Sequence, residues 1–248
     1  MSETSGHLPR PDGERLAWRR VAGAGPTILW MSGYRSDMSG SKAEALADWA
    51  TANGRAYLRF DYFAHGASSG DFLQGTITRW REDVLAVIDE LTEGPLVLVG
   101  SSMGGWLACL AAMARPERTG AMVLIAPAPD FTSKLMPLRF PPDAVQALRE
   151  AGVWMEPSQY GDPSPITRDF LEDGARWSIL DAPVPIEVPV RILQGGEDPD
   201  VPWRHALELS QAIRSQDVVF SLIKDGDHRL SRPQDIERLV AAVAEVAG

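Results

Sequence analysis

The sequence has a single cysteine, Cys109, among its 248 residues, so the chain cannot form an internal disulfide. It has no apolar run long enough to cross a bilayer, and residues 1–10 lack the apolar segment of a signal peptide. These absences predict a cytoplasmic protein without integral membrane association. Positive charge is scarce: 24 lysines and arginines against 34 aspartates and glutamates give a net charge of −10. A field of that sign repels nucleic acid, so we expect no nucleic-acid partner.

What the sequence does contain is an alternation of continuous apolar runs with amphipathic segments. The apolar runs typical of buried strands are 27–31, 57–61, 96–99, 121–126, 190–194 and 218–223. Helical spacing of apolar residues follows at 42–52, 77–91, 106–114 and 236–246. This order predicts one α/β domain over residues 1–248, with a mostly parallel central sheet and helices on both faces. Residues 1–13 are polar and predict a frayed end, and 15–21 predict an antiparallel edge strand.

The alternation stops between residues 127 and 189. This segment holds eleven of the 19 prolines, has no strand-like run and is dense in apolar residues. Helical patterns cover 144–151 and 166–180. A long connection of this kind is more often functional than idle, so we predict a small helical cap inserted between two strands of the sheet. The alternative is a side extension of the core.

The strand–helix junction at Gly100-Ser101-Ser102-Met103-Gly104 fits the pattern Gly-x-Ser-x-Gly. In such a turn the serine is strained and its hydroxyl stands above the sheet, and the two glycines make room because they lack a Cβ. The N-terminus of the following helix points at the site where an oxyanion would form. Only Ser102 fits this register. The alternative is a glycine-rich turn with an incidental serine.

A serine nucleophile needs a histidine base, which a carboxylate in turn orients. His228 follows the last apolar strand directly, and the loop after Gln194 supplies Glu197, Asp198 and Asp200. Parallel strands end at one edge of a sheet, so these loops should meet Ser102 there. The chain order serine, acid, histidine is that expected for the α/β-hydrolase arrangement. The alternatives are a turn or cap role for Asp198 and a solvated loop position for His228.

On these motifs the chain resembles the α/β-hydrolase superfamily from about residue 16 to its C-terminus. The segment Gly195–Pro202 resembles the acid loop of that superfamily, which selects Asp198 as the acid, and Gly226–His228 resembles its histidine loop. The resemblance implies an oxyanion hole made by the backbone N–H groups of Tyr34 and Met103. It implies catalysis without metal or other cofactor.

Several stretches resemble more closely the mitochondrial palmitoyl-protein thioesterase and acyl-glucuronide esterase branch of that superfamily. They include 32–34, 60–62, 80–85, 100–107, 152–154, 201–203 and 227–229. This resemblance implies a serine hydrolase acting on acyl thioesters or carboxylic esters, either small or on an acylated protein, as a monomer or homodimer. From composition alone, Trp154, Met155 and Phe170 are predicted to line an acyl pocket.

Other functions are compatible with the same serine, histidine and acid. A short-chain carboxylesterase and a C–C bond hydrolase would use these residues, and a non-catalytic receptor could retain the fold. A dehalogenase or epoxide hydrolase is disfavoured, because those enzymes have an aspartate where this chain has Ser102.

Overall fold

The computed structural model describes residues 3–157 and 163–248. The strands in these ranges are β1 (Thr4–Pro9), β2 (Arg15–Val21), β3 (Ala24–Met31), β4 (Arg55–Phe60), β5 (Leu96–Ser101), β6 (Thr119–Ile125), β7 (Val153–Glu156), β8 (Ser164–Thr167), β9 (Val190–Gly195) and β10 (Val218–Ile223). Eight of them form one sheet in the order β1-β2-β4-β3-β5-β6-β9-β10. The pairs β1–β2 and β2–β4 are antiparallel. The remaining pairs of this sheet, along β4-β3-β5-β6-β9-β10, are parallel. The mostly parallel sheet is therefore confirmed.

The helices in the described ranges cover both faces of the sheet. They are α1 (Ser41–Ala52), α2 (Ile77–Leu91), α3 (Met103–Ala114), α4 (Phe131–Lys134), α5 (Pro142–Glu150), α6 (Arg168–Ala175), α7 (Trp203–Ala212) and α8 (Pro233–Ala247). Because side chains alternate along β5, Leu96 and Leu98 pack with α2 and α3, whereas Val97 and Val99 pack with α1 and α8. The site-bearing turn after β5 is thus fixed by packing from both sides.

The amino-terminal residues differ from the prediction of a frayed end. Every residue of β1 (Thr4–Pro9) pairs with β2, so β1 is the edge strand and β2 lies one place inside the sheet. The reason is a contact distant in sequence: the Glu3 carboxylate accepts hydrogen bonds from the buried Arg59 guanidinium on β4, at 2.8 and 2.7 Å. No local pattern reports such an anchor.

The segment from 127 to 189 connects β6 to β9, and we call it the cap segment. Its helical patterns at 144–151 and 166–180 correspond to α5 and α6, although α6 covers only Arg168–Ala175, and the short helix α4 was not predicted. The prediction that this segment has no strand was wrong, because β7 and β8 pair antiparallel as a two-stranded sheet that includes Ile166. Its division from the rest of the chain as a cap stays a prediction.

No helix within residues 3–157 and 163–248 has the length and apolar character needed to cross a membrane.

Candidate active site

The turn between β5 and α3 holds Ser102 with φ 55° and ψ −118°, a strained conformation for a residue with a side chain. The turn closes because two glycines let backbone segments touch. A Cβ on Gly100 would lie 2.2 Å from the Gly104 carbonyl oxygen, and one on Gly104 would lie 2.2 Å from the Met31 carbonyl oxygen. The Ser102 N–H donates to the Ile125 carbonyl at 2.9 Å, which ties the turn to β6.

His228 and Asp198 reach this turn from the loops after β10 and β9. The Ser102 hydroxyl donates to His228 Nε2 at 3.1 Å, and His228 Nδ1–H donates to Asp198 Oδ2 at 2.8 Å. The carboxylate thus fixes the tautomer in which Nε2 can accept a proton from serine. The structure brings together the three residues that the sequence selected as nucleophile, base and acid.

The Asp198 side chain is fully buried and hydrogen-bonded at both oxygens. Oδ1 accepts the backbone N–H groups of Asp200 and Val201, each at 2.8 Å, and Oδ2 faces His228. Burial alone would raise the pKa of this carboxyl, but the hydrogen bonds from His228, Val201 and Asp200 hold it below its usual value. Asp198 is therefore ionised near neutral pH and can stabilise a positive charge on His228.

Gln194 is a further residue of the site that the sequence reasoning did not select. It is the penultimate residue of β9 and is fully buried, and its Nε2 donates to Asp198 Oδ2 at 3.1 Å and to the Val201 carbonyl oxygen at 3.0 Å. It thus closes the acid loop from inside. The available signal was a polar side chain that directly follows the apolar pair Ile192-Leu193 in a strand leading to the acid loop.

Three side-chain ligand atoms of Asp198, Asp200 and His228 lie within 4.8 Å of one another. Both Asp198 oxygens and both His228 ring nitrogens already take part in the hydrogen bonds described above. The atoms of Asp198 and His228 that could bind a metal are therefore already used in orienting His228. That the site needs no cofactor stays a prediction.

Tyr34 and Met103, whose N–H groups are the predicted oxyanion donors, both lie close to Ser102. Met103 is the first residue of α3, and a Cβ on Gly33, the residue before Tyr34, would lie 3.3 Å from Ser102 Cβ. Neither N–H donates to an acceptor within residues 3–157 and 163–248. Both are thus available to an oxygen bound beside Ser102.

His65 supports the loop that carries the Tyr34 N–H. Its Nε2 accepts the backbone N–H of Arg35 at 3.3 Å, and its Nδ1–H donates to the Phe63 carbonyl at 3.0 Å. Arg35 has φ 56°, so this hydrogen bond helps to hold an unfavourable backbone conformation next to Tyr34. His65 is only 3% exposed, and burial lowers its pKa to about 4. The imidazole is therefore neutral at pH 7.

Acid should destabilise the fold through His65. An unfolded histidine titrates near 6.5, so the unfolded state binds this proton before the folded state does. Stability is therefore lost as pH falls from 6.5 towards 4, and the loss approaches about 3 kcal/mol near pH 4. The amide oxygen of His65→Gln can accept the Arg35 N–H without titrating. We expect urea unfolding of His65→Gln to show a smaller drop in unfolding free energy between pH 7 and 4.5 than the unmodified protein. Equal drops would contradict this account.

A cavity of about 340 Å³ opens beside Ser102 and His228, on the side of the cap segment, and its lining includes four charged residues, Arg35, Arg139, Glu156 and Asp200. We call it the acyl cavity. Its apolar wall comes from the cap segment, with Ala128, Phe131, Leu135, Met136, Phe140 and Trp154. Of the three predicted pocket residues, Trp154 lines it. Met155 does not, because alternation along β7 turns it outward, where it is 49% exposed. Phe170 is 2% exposed and stacks on the Tyr34 ring at 5.2 Å, so it supports the wall from behind.

A second cavity, of about 260 Å³, also reaches Ser102 and His228. We call it the polar cavity, because Ser36, Asp37, Lys42, Arg229 and Ser231 are among the residues that line it. The sequence reasoning did not select these residues, since 36–42 and 229–231 lie far apart in the chain. Ser102 thus stands between one apolar and one polar space.

Comparison with known proteins gives consistent results. The sequence profile described as the Alpha/beta hydrolase family matches residues 21–242. The palmitoyl-protein thioesterase ABHD10, mitochondrial, of Bos taurus is 38% identical over 242 residues, which cover 96% of this chain and 78% of that protein. The human protein of the same name is 37% identical over 242 residues, with the same coverage.

Solved structures extend the likeness to three dimensions. A crystal structure of a protein from Agrobacterium vitis S4 has a TM-score of 0.95 and 41% identity, and the match covers 100% of both chains. The alpha/beta hydrolase domain-containing protein 10 from mouse has a TM-score of 0.89 and 36% identity, and the match covers 98% of this chain and 97% of that one.

Proposed function

We propose that this chain, which belongs to the alpha/beta hydrolase family and is a hydrolase, cleaves acyl thioesters and carboxylic esters through an acyl-serine intermediate. The family membership also confirms the predicted fold class and resemblance. The observation that carries the proposal is the hydrogen-bonded series Ser102–His228–Asp198, with Ser102 and His228 lining the acyl cavity.

Acylation begins when Ser102 Oγ attacks the acyl carbonyl carbon. His228 Nε2 takes the hydroxyl proton as the C–O bond forms, and the Asp198 carboxylate stabilises the resulting imidazolium. The geometry favours this transfer, because Ser102 Oγ and Nε2 are already 3.1 Å apart.

The tetrahedral oxygen carries the negative charge of this step. The free N–H groups of Tyr34 and Met103 are the proposed donors to it, and such a donor typically contributes about 10²- to 10³-fold in rate. His65 would act on Tyr34 only as a positioning residue, through its hydrogen bond to the Arg35 N–H.

The intermediate collapses by breaking the bond from the acyl carbon to the leaving sulfur or oxygen. His228 Nε2–H gives its proton to that leaving atom, and water then attacks the acyl-serine by the same route in reverse. Each step uses only protein groups and water.

The apolar wall of the acyl cavity supports a hydrocarbon acyl group, and the ABHD10 relatives are named mitochondrial palmitoyl-protein thioesterases. We propose a small acyl ester or an acylated protein as substrate. A cytoplasmic location and a monomer or homodimer, expected from the sequence, belong to the same proposal.

The test is a chain-length series of acyl thioesters and matched oxygen esters, assayed before and after treatment with a serine-directed fluorophosphonate. We expect turnover that peaks at an intermediate or long acyl chain, favours thioesters and disappears on labelling. A peak at the shortest oxygen esters would instead support a general carboxylesterase. Turnover of neither class by folded protein would contradict the proposal.

Residues Trp154 and Met155 offer a matched pair within this assay, because they are neighbours on β7 that face opposite sides. Trp154 packs against Phe140 with ring centroids 5.8 Å apart in the wall of the acyl cavity. We expect Trp154→Ala to shift the preferred chain length and to lower kcat/KM for the original optimum about tenfold or more, from lost apolar contact. Met155→Ala should keep the original profile. Identical profiles for both variants would show that this wall does not contact the acyl chain.

A further inference from the structure

We propose that Asp83 is a positioning residue for this reaction, which holds the Tyr34 N–H in place through the backbone of Phe63. This inference rests on the proposed function, in which Tyr34 is a donor to the oxyanion. Asp83 lies on α2, within the stretch 80–85 that resembles the thioesterase branch, and no residue of that stretch borders the acyl cavity or the polar cavity.

The backbone of Phe63 is bound on both sides by α2. Its N–H donates to Asp83 Oδ2 at 2.8 Å, and its carbonyl oxygen accepts the Trp80 indole N–H at 3.1 Å. Asp83 and Trp80 are three residues apart on the helix, so they project from the same face. The same carbonyl oxygen accepts His65 Nδ1–H at 3.0 Å. The position of the His65 ring therefore depends on these two side chains.

The Phe63 carbonyl also decides which nitrogen of His65 is protonated. A carbonyl oxygen only accepts hydrogen bonds, so the ring proton stays on Nδ1, and Nε2 is left to accept the Arg35 N–H at 3.3 Å. Arg35 follows Tyr34 directly and has φ 56°, a conformation that needs such support. A displacement of Phe63 would thus be passed to the Tyr34 loop through two hydrogen bonds.

Ring contacts between α2 and this loop form a second link. The Trp80 ring packs edge-on against the rings of His65 and Tyr34, with centroids 5.1 and 5.9 Å apart. Edge-to-face pairs at such distances stabilise the relative orientation of the rings. The helix therefore supports the loop by side-chain packing as well as through the Phe63 backbone.

The Asp83 carboxyl is buried in a way that packing alone does not favour. Its side chain is fully buried, and Oδ1 has no hydrogen bond within the part of the chain that the structure describes. Arg10 Nε and Arg79 Nε lie 3.5 and 3.9 Å from this oxygen. Burial raises the pKa of Asp83 to about 7, against the hydrogen bond from Phe63 and the charges of both arginines. Carboxyl groups whose pKa is shifted by burial and specific partners are concentrated at functional sites.

The expected consequence is confined to the chemical step. A donor to the oxyanion must be aligned when Ser102 attacks, and a displacement of about 1 Å can lower a rate about 100-fold. The acyl group is held instead by the cap-segment wall of the acyl cavity, to which α2 contributes no residue. Loosening the Tyr34 loop should therefore lower kcat and leave KM nearly unchanged.

The test compares Asp83→Leu, which removes the acceptor of the Phe63 N–H, with Asp83→Asn, whose amide oxygen can still accept it. Because the carboxyl is partly protonated at pH 7, the uncharged amide is a close substitute. With an octanoyl thioester, we expect kcat to fall about tenfold or more in Asp83→Leu at nearly constant KM, and to stay within about threefold in Asp83→Asn. Equal losses in the two variants would overturn the inference.

Ile88→Ala is the matched control for lost stability. Ile88 is a buried residue further along α2, and its side chain cannot form a hydrogen bond to Phe63. Titration of active sites with fluorophosphonate keeps unfolded protein out of the measured kcat. We expect Ile88→Ala to keep kcat within about threefold of the unmodified protein. A loss as large as that in Asp83→Leu would show that any weakening of α2 has this effect, and would overturn the inference.

Trp80→Phe keeps an aromatic ring in the core and removes the indole N–H that binds the Phe63 carbonyl. It tests the same link where Asp83→Leu does not fold. We expect kcat to fall about fivefold at nearly constant KM. A kcat equal to that of the unmodified protein would overturn the inference.

Amide hydrogen exchange at Arg35, measured by NMR, separates this inference from the proposed function. His65 Nε2 protects the Arg35 N–H, so we expect its exchange to be about tenfold faster in Asp83→Leu and unchanged in Asp83→Asn and Ile88→Ala. If the unmodified protein hydrolyses no ester or thioester, the proposed function fails, whereas this exchange pattern still supports the role of Asp83. Equal protection in Asp83→Leu and the unmodified protein would overturn it.

Discussion

Replacing Ser102 by alanine is expected to lower kcat/KM for acyl thioesters by about 10⁴-fold or more. The variant loses the hydroxyl that donates to His228 Nε2, so no acyl-serine can form at position 102. Donors at Tyr34 and Met103 would persist and could still assist direct attack by water, which explains why activity does not fall to the uncatalysed rate. Steady-state turnover and the burst of acyl-enzyme formation measure the loss, and the burst should vanish entirely.

Ser101→Ala is the stringent control for this variant. Ser101 is the adjacent serine and ends β5, but its side chain makes no hydrogen bond to His228. The Ser101→Ala variant should still be labelled by fluorophosphonate and should turn over substrate at a rate within about threefold of the unmodified protein, because Ser101 takes no part in the reaction. If Ser102→Ala retained labelling, the assignment of the nucleophile would be wrong.

Replacing Asp198 by asparagine is expected to lower kcat about 10⁴-fold while the fold is retained. The local hydrogen bonds decide how the amide sits. Two backbone N–H groups, from Asp200 and Val201, require an oxygen at the Oδ1 position, so the amide nitrogen must take the Oδ2 position. From there it would donate to His228 Nδ1 and force the ring proton onto Nε2. That tautomer cannot accept the Ser102 proton.

Asp200→Asn tests whether charge alone accounts for the effect. Asp200 lies two residues further on in the same loop and forms an exposed ion pair with Arg139 at 3.0 Å. Exposed pairs of this kind contribute little, so we expect kcat within about threefold of the unmodified enzyme. The ring N–H signal of His228 in proton NMR provides an independent measure, since it should be altered in Asp198→Asn and preserved in Asp200→Asn. Comparable kcat values for the two variants would contradict the role of Asp198.

The sequence was sufficient for the parts of the fold that depend on local patterns. The run Leu96–Val99 packs on both faces and could only be a central strand, and Ser102 follows it at the edge where parallel strands end. That rule also located His228 and the loop of Asp198. The glycines at positions 100 and 104 predicted the tight turn, and the structure shows that the turn has no room for a Cβ at either position.

Features that depend on contacts between residues far apart in the chain could not be predicted from the sequence. β1 looked like a frayed polar end because its partners, β2 and Arg59, lie elsewhere in the chain. In the cap segment, pairing between β7 and β8 decides that Trp154 faces the acyl cavity and Met155 faces solvent. Phe170 was selected by composition, but its position behind Tyr34 depends on how α6 packs. Gln194 contacts Asp198 and the Val201 carbonyl across a loop, which no spacing in the sequence reveals.

The cap segment shares its apolar interior with the rest of the molecule. Leu148, Ile166 and Phe170 belong to the same hydrophobic cluster as Trp80 of α2 and Leu98 of β5. A swinging motion of the whole segment would therefore expose the main core, which makes the segment part of one cooperative folding unit rather than a hinged lid.

Substrate entry therefore depends on smaller movements of side chains at the mouth of the acyl cavity. The ion pairs Arg35–Glu156 and Arg139–Asp200 stand at the mouth of the acyl cavity, and exposed pairs of this type separate with little loss of free energy. Rotation of these side chains, on the nanosecond timescale of surface residues, can admit a substrate while the packed interior stays closed.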